Sequence, residues 1–121
     1  PEDQRALYHA ALSIASNFTV ALAGDAADLL GNPEALAPLI RQTVDNVVRL
    51  GADAALTGPI VRGDAGTVRA HIAALTSKAP HLLEAYVANA RRTLDRAVKA
   101  KRLDAAKAKA VGEALEEAMV R

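Results

Sequence analysis

Apolar residues recur along almost the whole chain at three- and four-residue steps, and no segment alternates apolar with polar residues over strand length. The first run predicts a helix from about Asp3 to Leu30, stopped by Gly31. Its Leu7, Ile14, Phe18, Leu22 and Leu29 spread around more than one face, as expected of a central helix enclosed by protein. Asn32-Pro33 then opens a second helix, since Asn caps orphan amides and Pro suits the first helical position. Leu36, Leu39, Ile40, Val44, Val47 and Val48 form its stripe, which ends at Leu50 before Gly51. Residues 51–63 break the pattern with Gly58-Pro59 and Gly63, predicting an ordered loop or a helix interrupted by one. Asp64 caps a third helix with Val68, Ile72 and Leu75 inward. Pro80 starts a fourth, to about Lys101, using Leu83, Val87, Ala90, Leu94 and Val98. Asp104 caps a fifth, with Val111, Leu115 and Met119 inward. The pattern predicts an all-α chain of about five helices, residues 1–121 forming one domain.

Composition sharpens this picture in three places. Of 121 residues, 51% are hydrophobic, enough for a sizeable core, while the absence of Cys excludes disulfides and thiolate zinc sites. Lys and Arg number 15 against 14 Asp and Glu, so the net charge of +1 argues against a dedicated nucleic-acid domain. Cysteine absence fits a cytoplasmic location. The stretch from Ala6 to Gly24 has no charged residue and resembles a membrane span in length. Its His9, Ser13, Ser16, Asn17 and Thr19, with Ala rather than Leu elsewhere, favour a protein-enclosed helix, so no membrane partner is expected. The chain opens on Pro1 and enters helical periodicity at once, which suggests a piece of a longer protein with an N-terminal neighbour.

Two constellations carry candidate chemistry. His9, Ser13 and Asn17 recur every four residues on one side of the first helix, with Ser16 beside them and Gly24 extending the line. Burying such groups without partners costs roughly 1–3 kcal/mol each. They either line a polar cleft that hydrogen-bonds a small ligand, or bond neighbouring helices and backbone carbonyls within a bundle. The second constellation is Thr57-Gly58-Pro59-Ile60-Val61-Arg62-Gly63-Asp64. Here Gly58 permits close backbone approach, Thr57 offers a hydroxyl, and Arg62 suits a carboxylate or phosphate. The plainer alternative is a tight turn with Asp64 as cap and Arg62 in solvent.

The remaining polar features point to little. His71 falls at the edge of the third helix's apolar face and His81 in the first turn of the fourth. With His9 they lack metal-ligand spacing, so no metal is expected. Arg91, Arg92, Arg96, Lys99, Lys101, Arg102, Lys107 and Lys109 crowd one stretch. A nucleic-acid contact or a seat for an NADP phosphate is conceivable there, but without an aromatic platform a solvated helical surface is preferred and no nucleic-acid partner is expected.

Tyr8-His9-Ala10-Ala11 and Ala15-Ser16-Asn17, with Ala55-Leu56-Thr57-Gly58-Pro59-Ile60 and Arg62-Gly63-Asp64, resemble the DUF2520 family, as do Thr67-Val68, His71-Ile72 and Ala74-Leu75. The resemblance runs in order over essentially the whole chain. Members are Rossmann-like, NAD(P)-dependent oxidoreductases related to ketopantoate and pyrroline-5-carboxylate reductases. The resemblance therefore implies a helical C-terminal domain, a bundle like that of 6-phosphogluconate dehydrogenase, which supplies half of a substrate cleft and mediates homodimerisation. NADP or NAD would be bound mainly by an N-terminal Rossmann domain outside this chain, since no Gly-x-Gly-x-x-Gly follows a strand here. The chain alone is accordingly not expected to be active.

Ketopantoate reductases place a Lys and two Asn at four-residue steps where this chain has His9, Ser13 and Asn17. Asn17 fits that pattern, whereas His9 stands for the Lys acid and Ser13 for the first Asn. By this resemblance His9 and Asn17 are catalytic, with His9 the proton donor. Ser13, Ser16, Thr57, Gly58 and Arg62 bind substrate, Thr57 and Arg62 at its carboxylate. The implied reaction is hydride transfer to a C=O or C=N bond of a small keto or imino acid, with ketopantoate the leading named substrate. The competing expectation is a non-catalytic helical module that dimerises.

Overall fold

A computed structural model describes residues 1–120, and among these every regular element is helical. Helices α1 (Glu2–Ala15) and α2 (Asn17–Leu30) are followed by a 3₁₀ turn over Pro33–Leu36 and by α3 (Ala37–Leu50). Next come the single turn α4 (Ala52–Ala55), α5 (Ala65–Lys78), a 3₁₀ turn at Pro80–Leu82, α6 (Leu83–Lys99) and α7 (Ala105–Val120). The all-α expectation holds, and with α1 and α2 counted as one rod there are five long helices.

The first rod differs from expectation by a local fault at Ser16. Its backbone stays right-handed (φ −110°, ψ −68°), its N–H donates to the Leu12 carbonyl and its own carbonyl accepts from Val20, each at 3.0 Å. The fault falls at Ser16-Asn17, two residues of lower helix propensity than the alanines around them. Asn32 likewise departs from its predicted role, since its side chain makes no cap hydrogen bond. The chain is organised as two compact units, residues 1–44 and residues 45–120, the division falling within α3.

In residues 45–120 the core forms around α7. Val111, Ala114, Leu115 and Ala118 are buried along it at heptad-like steps, facing Val68 and Ile72 of α5 and Val87 and Ala90 of α6. Alanines at half of the α7 positions let both neighbours approach closely, while Leu115 and the valines fill the space between. Ile60, Ala65, Leu83, Tyr86 and Leu94 close the margins. Two predicted core residues are displaced. Val98 is 47% exposed and Met119 51% exposed, while the adjacent Ala97 and Ala118 are buried. Each lies one residue beyond the seam, about 100° round the helix, so the small side chain takes the narrow contact and the large one faces solvent.

Residues 1–44 behave differently. No residue of α1, α2 or α3 is buried, the helix expected to be enclosed by protein included. Leu7, Ile14, Phe18, Val20, Leu29, Leu30 and Leu39 are each more than half exposed. By length and composition the Glu2–Leu30 rod is also apolar enough to cross a membrane.

A core built on α7 predicts an uneven response to truncation. Leu115→Ala should lower the unfolding free energy by about 2–5 kcal/mol, through lost transfer energy and the cavity left behind. Val98→Ala should stay within about 0.5 kcal/mol of the parent chain. Urea titration followed by circular dichroism measures both.

Candidate functional site

The polar ridge of residues 1–44 is open along its length. His9, Ser16 and Asn17 are exposed and Ser13 is half-buried. His9 touches the neighbouring Tyr8 ring at a centroid distance of 6.0 Å. The interhelical bonds that a purely packed ridge requires do not form: among the described residues the Ser13, Ser16 and Asn17 side chains have no hydrogen-bond partner. Beside Gly24 the surface is equally open, with no atom within 4 Å of where a Cβ would stand. An imidazole, hydroxyls and a carboxamide therefore share one rod with unused donors and acceptors.

Residues 57–64 fold into a compact turn. The Arg62 N–H donates to the Gly58 carbonyl, Gly63 to Ile60 and Asp64 to Pro59, the last at 2.8 Å. Gly58 and Gly63 adopt φ values of 97° and 70°, a region that favours glycine. At Gly63 a second constraint applies, because a Cβ there would lie 2.4 Å from the Lys107 Cβ on α7. Ile60 and Val61 anchor the turn toward the core, leaving Thr57 and Arg62 exposed. Thr57 has no hydrogen-bond partner among the described residues, so its hydroxyl is available to a ligand.

Asp64 is committed to the fold. Its Oδ2 accepts from the Thr67 hydroxyl at 2.6 Å and its Oδ1 from the Thr67 N–H at 3.0 Å. These bonds hold its carboxyl below the ordinary aspartate range, the hydroxyl contributing most, with smaller help from the positive charge of Arg62. The amides that open α5 thus face a carboxylate of their own chain.

The basic stretch divides in a way its sequence did not indicate. Arg92 and Lys109 pair with Asp95 and Glu113 along their own helices, as a solvated surface does. Arg96 instead reaches Asp53 of α4 at 3.1 Å, and Arg102 donates to the carbonyls of Asp53 and Leu56. Arg102 with Lys101, Leu103, Asp104 and Lys107 then lines an open groove with Val61 and Arg62. Neither Lys101 nor Arg102 is helical, so no helical periodicity marked them.

His71 and His81 are both exposed. The His71 Nδ1 shares a 3.0 Å hydrogen bond with the Tyr86 hydroxyl, and partial burial of that phenol pushes its pKa up. Among the described residues no three His, Asp or Glu side chains gather in a metal-binding group. Among the described residues none is in a strand.

The structure thus joins His9, Ser13, Ser16 and Asn17 on one rod, and Thr57, Gly58 and Arg62 on one turn. A family model described as a domain of unknown function, DUF2520, matches residues 1–93. That span includes both constellations and leaves the end of α6 and all of α7 outside the match. Neither a curated protein nor a solved structure matches the chain.

The bonds at Asp64 predict a pH effect of definite sign. Because its folded pKa lies below the unfolded value, the carboxylate's contribution is full above the ordinary aspartate range and fades as pH falls through the lowered value. Thr67→Val removes the hydroxyl but keeps the amide. In a carboxyl-detected NMR titration it should raise the Asp64 midpoint, and acid unfolding should begin at higher pH.

Proposed function

Since the chain belongs to the DUF2520 family, we propose that it is the helical substrate-cleft and dimerisation domain of an NAD(P)H-dependent reductase acting on a small keto or imino acid. The observation that carries this reading is the exposure of α1–α3. Leu7 is 72% exposed, Val20 69% and Val48 78%, and no residue of these helices is buried. Covering them stabilises the assembly by roughly 25 cal/mol per Å² of apolar surface removed from water. A second copy of the chain is the occupant proposed, with the parent's dinucleotide-binding domain facing the polar ridge. Large apolar side chains exposed in such number support an association face.

The ridge supplies the chemistry. When bound, the dinucleotide would donate hydride; the chain's own residues would orient the acceptor and move a proton. His9 is the proton donor, imidazole as a class being suited to proton transfer near neutrality. Asn17, Ser13 and Ser16 offer hydrogen bonds to the substrate, and Thr57 with Arg62 binds its carboxylate. The open side chains of His9, Asn17 and Thr57 support this assignment, and ketopantoate is the leading substrate by family analogy.

A competing reading, a non-catalytic dimerisation module, draws on the same apolar surface. Two experiments separate them. In light scattering the chain should be dimeric at micromolar concentration. Leu7→Glu with Val48→Glu should weaken the dimer at least about tenfold, since each buried charge costs more than 1.4 kcal/mol. Partition of the rod into lipid vesicles in place of dimerisation would contradict the proposed cover. In the parent enzyme, His9→Ala should lower kcat by about 10²-fold or more, while Thr57→Ala should mainly raise KM. A dimer whose two variants both keep parental kinetics is an interaction module.

A further inference from the structure

The groove between the 57–64 turn and the α6–α7 connection has a volume of about 770 Å³ and is lined by Val61, Arg62, Lys101, Arg102, Leu103, Asp104 and Lys107. Four cationic side chains thus face one carboxylate. An Asp104 oxygen accepts from the Lys107 N–H at 2.8 Å, which holds that carboxylate in place without cancelling its charge, so the lining carries an excess of three positive charges. Arg62, Lys101 and Lys107 form no ion pair among the described residues. Arg102 bonds only neutral carbonyls, of Asp53 and Leu56, so its charge is held in place without being cancelled. Four cations outnumber the Asp104 carboxylate beside them and the Asp64 carboxylate that Arg62 acts on, and like charges in excess are stabilised by an anion that spans them.

Both walls of this groove are fixed. Gly63 lets the turn approach α7 so closely that the Lys107 side-chain carbons occupy the space of a missing Cβ. On the other side α6 ends in a Schellman arrangement, the Lys101 N–H donating to Val98 and the Arg102 N–H to Ala97. The left-handed position of that motif ordinarily favours glycine, yet Lys101 occupies it at φ 58°. Glycine would serve the backbone better there, and the residue present is instead a lysine that lines the groove.

We propose that this groove is a binding site for a phosphorylated small molecule, whose phosphate or diphosphate is held by Arg62, Lys101, Arg102 and Lys107. Guanidinium and ammonium donors in one concave site match the several oxygens of a phosphate. No aromatic side chain lines the groove to stack bases, which favours a small ligand over a nucleic-acid strand. Most of the groove, from Lys101 to Lys107, lies beyond the family match. Arg62 is shared with the carboxylate contact of the reductase reading, so Lys101 and Lys107, which that reading does not use, distinguish failure of one from failure of the other.

Inorganic pyrophosphate added to the whole 121-residue chain tests this by amide NMR titration at constant ionic strength. Saturable shifts are expected at residues 62 and 101–107, with sodium sulfate weaker and sodium chloride inert. Arg62→Gln and Lys107→Gln should each weaken binding about tenfold, the loss expected for one charge-assisted contact. Lys107→Gln keeps the carbons packed against Gly63, and Lys109→Gln, outside the groove, should bind normally. Lys101→Gly gives the sharpest contrast: its melting temperature should rise while its pyrophosphate affinity falls. The proposal is overturned if shifts do not saturate, if the Gln variants bind as the parent does, or if Lys101→Gly keeps full affinity. Binding of an oligothymidylate in preference to pyrophosphate would also overturn it, in favour of a nucleic-acid surface.

Discussion

The narrow seam along α7 is the constraint on which the fold of residues 45–120 depends. Val111, Ala114, Leu115 and Ala118 form one continuous buried edge that serves two partners, α5 and α6. Small residues at half of those positions bring the helix axes close, and close axes make the remaining valines and leucine interlock. The same proximity reaches the start of α7, where the 57–64 turn approaches so tightly that only glycine fits at position 63. One packing requirement thus fixes both the core and the placement of the turn that presents Thr57 and Arg62.

The apolar positions of α1–α3 take no part in that seam. Alanine-rich helices bury little area per residue, and the core of residues 45–120 draws its side chains from the turn and from α5, α6 and α7. The exposed Leu, Ile, Val and Phe of the first three helices therefore act as an association surface in the function proposed. The polar ridge on the same rod gains its importance from this setting. A donor or acceptor in open solvent does little chemistry, but enclosed by a second protein surface it becomes directional and strong.

Helical character was legible throughout, because the three- and four-residue period needs no knowledge of what lies opposite. The caps at Asp64 and Asp104 were legible for the same reason, each carboxylate reaching an amide three residues along its own chain. The fault at Ser16 was not, although the Ser16-Asn17 pair carried a weak signal in its lower helix propensity. Val98 and Met119 misled because size suggests burial, whereas a close helix contact selects the neighbouring alanine. Of the candidate site, His9, Ser13 and Asn17 could be read as a ridge and Thr57 to Asp64 as a turn, both local patterns. Lys101, Arg102 and Lys107 could not be read as a groove, because they share no helical face and meet Arg62 only through the folding of distant segments.

The sequence by itself determined the all-helical class, the approximate ends of the helices, two of the caps, and the family to which the chain belongs. Each follows from interactions within a few residues or from a pattern along the chain. Tertiary structure alone decided which apolar stripe became core and which stayed exposed, which arginines tie loops and which pair along a helix, and where cations outnumber carboxylates. These depend on which surfaces meet across tens of residues, and periodicity assigns a face to each helix without naming its partner.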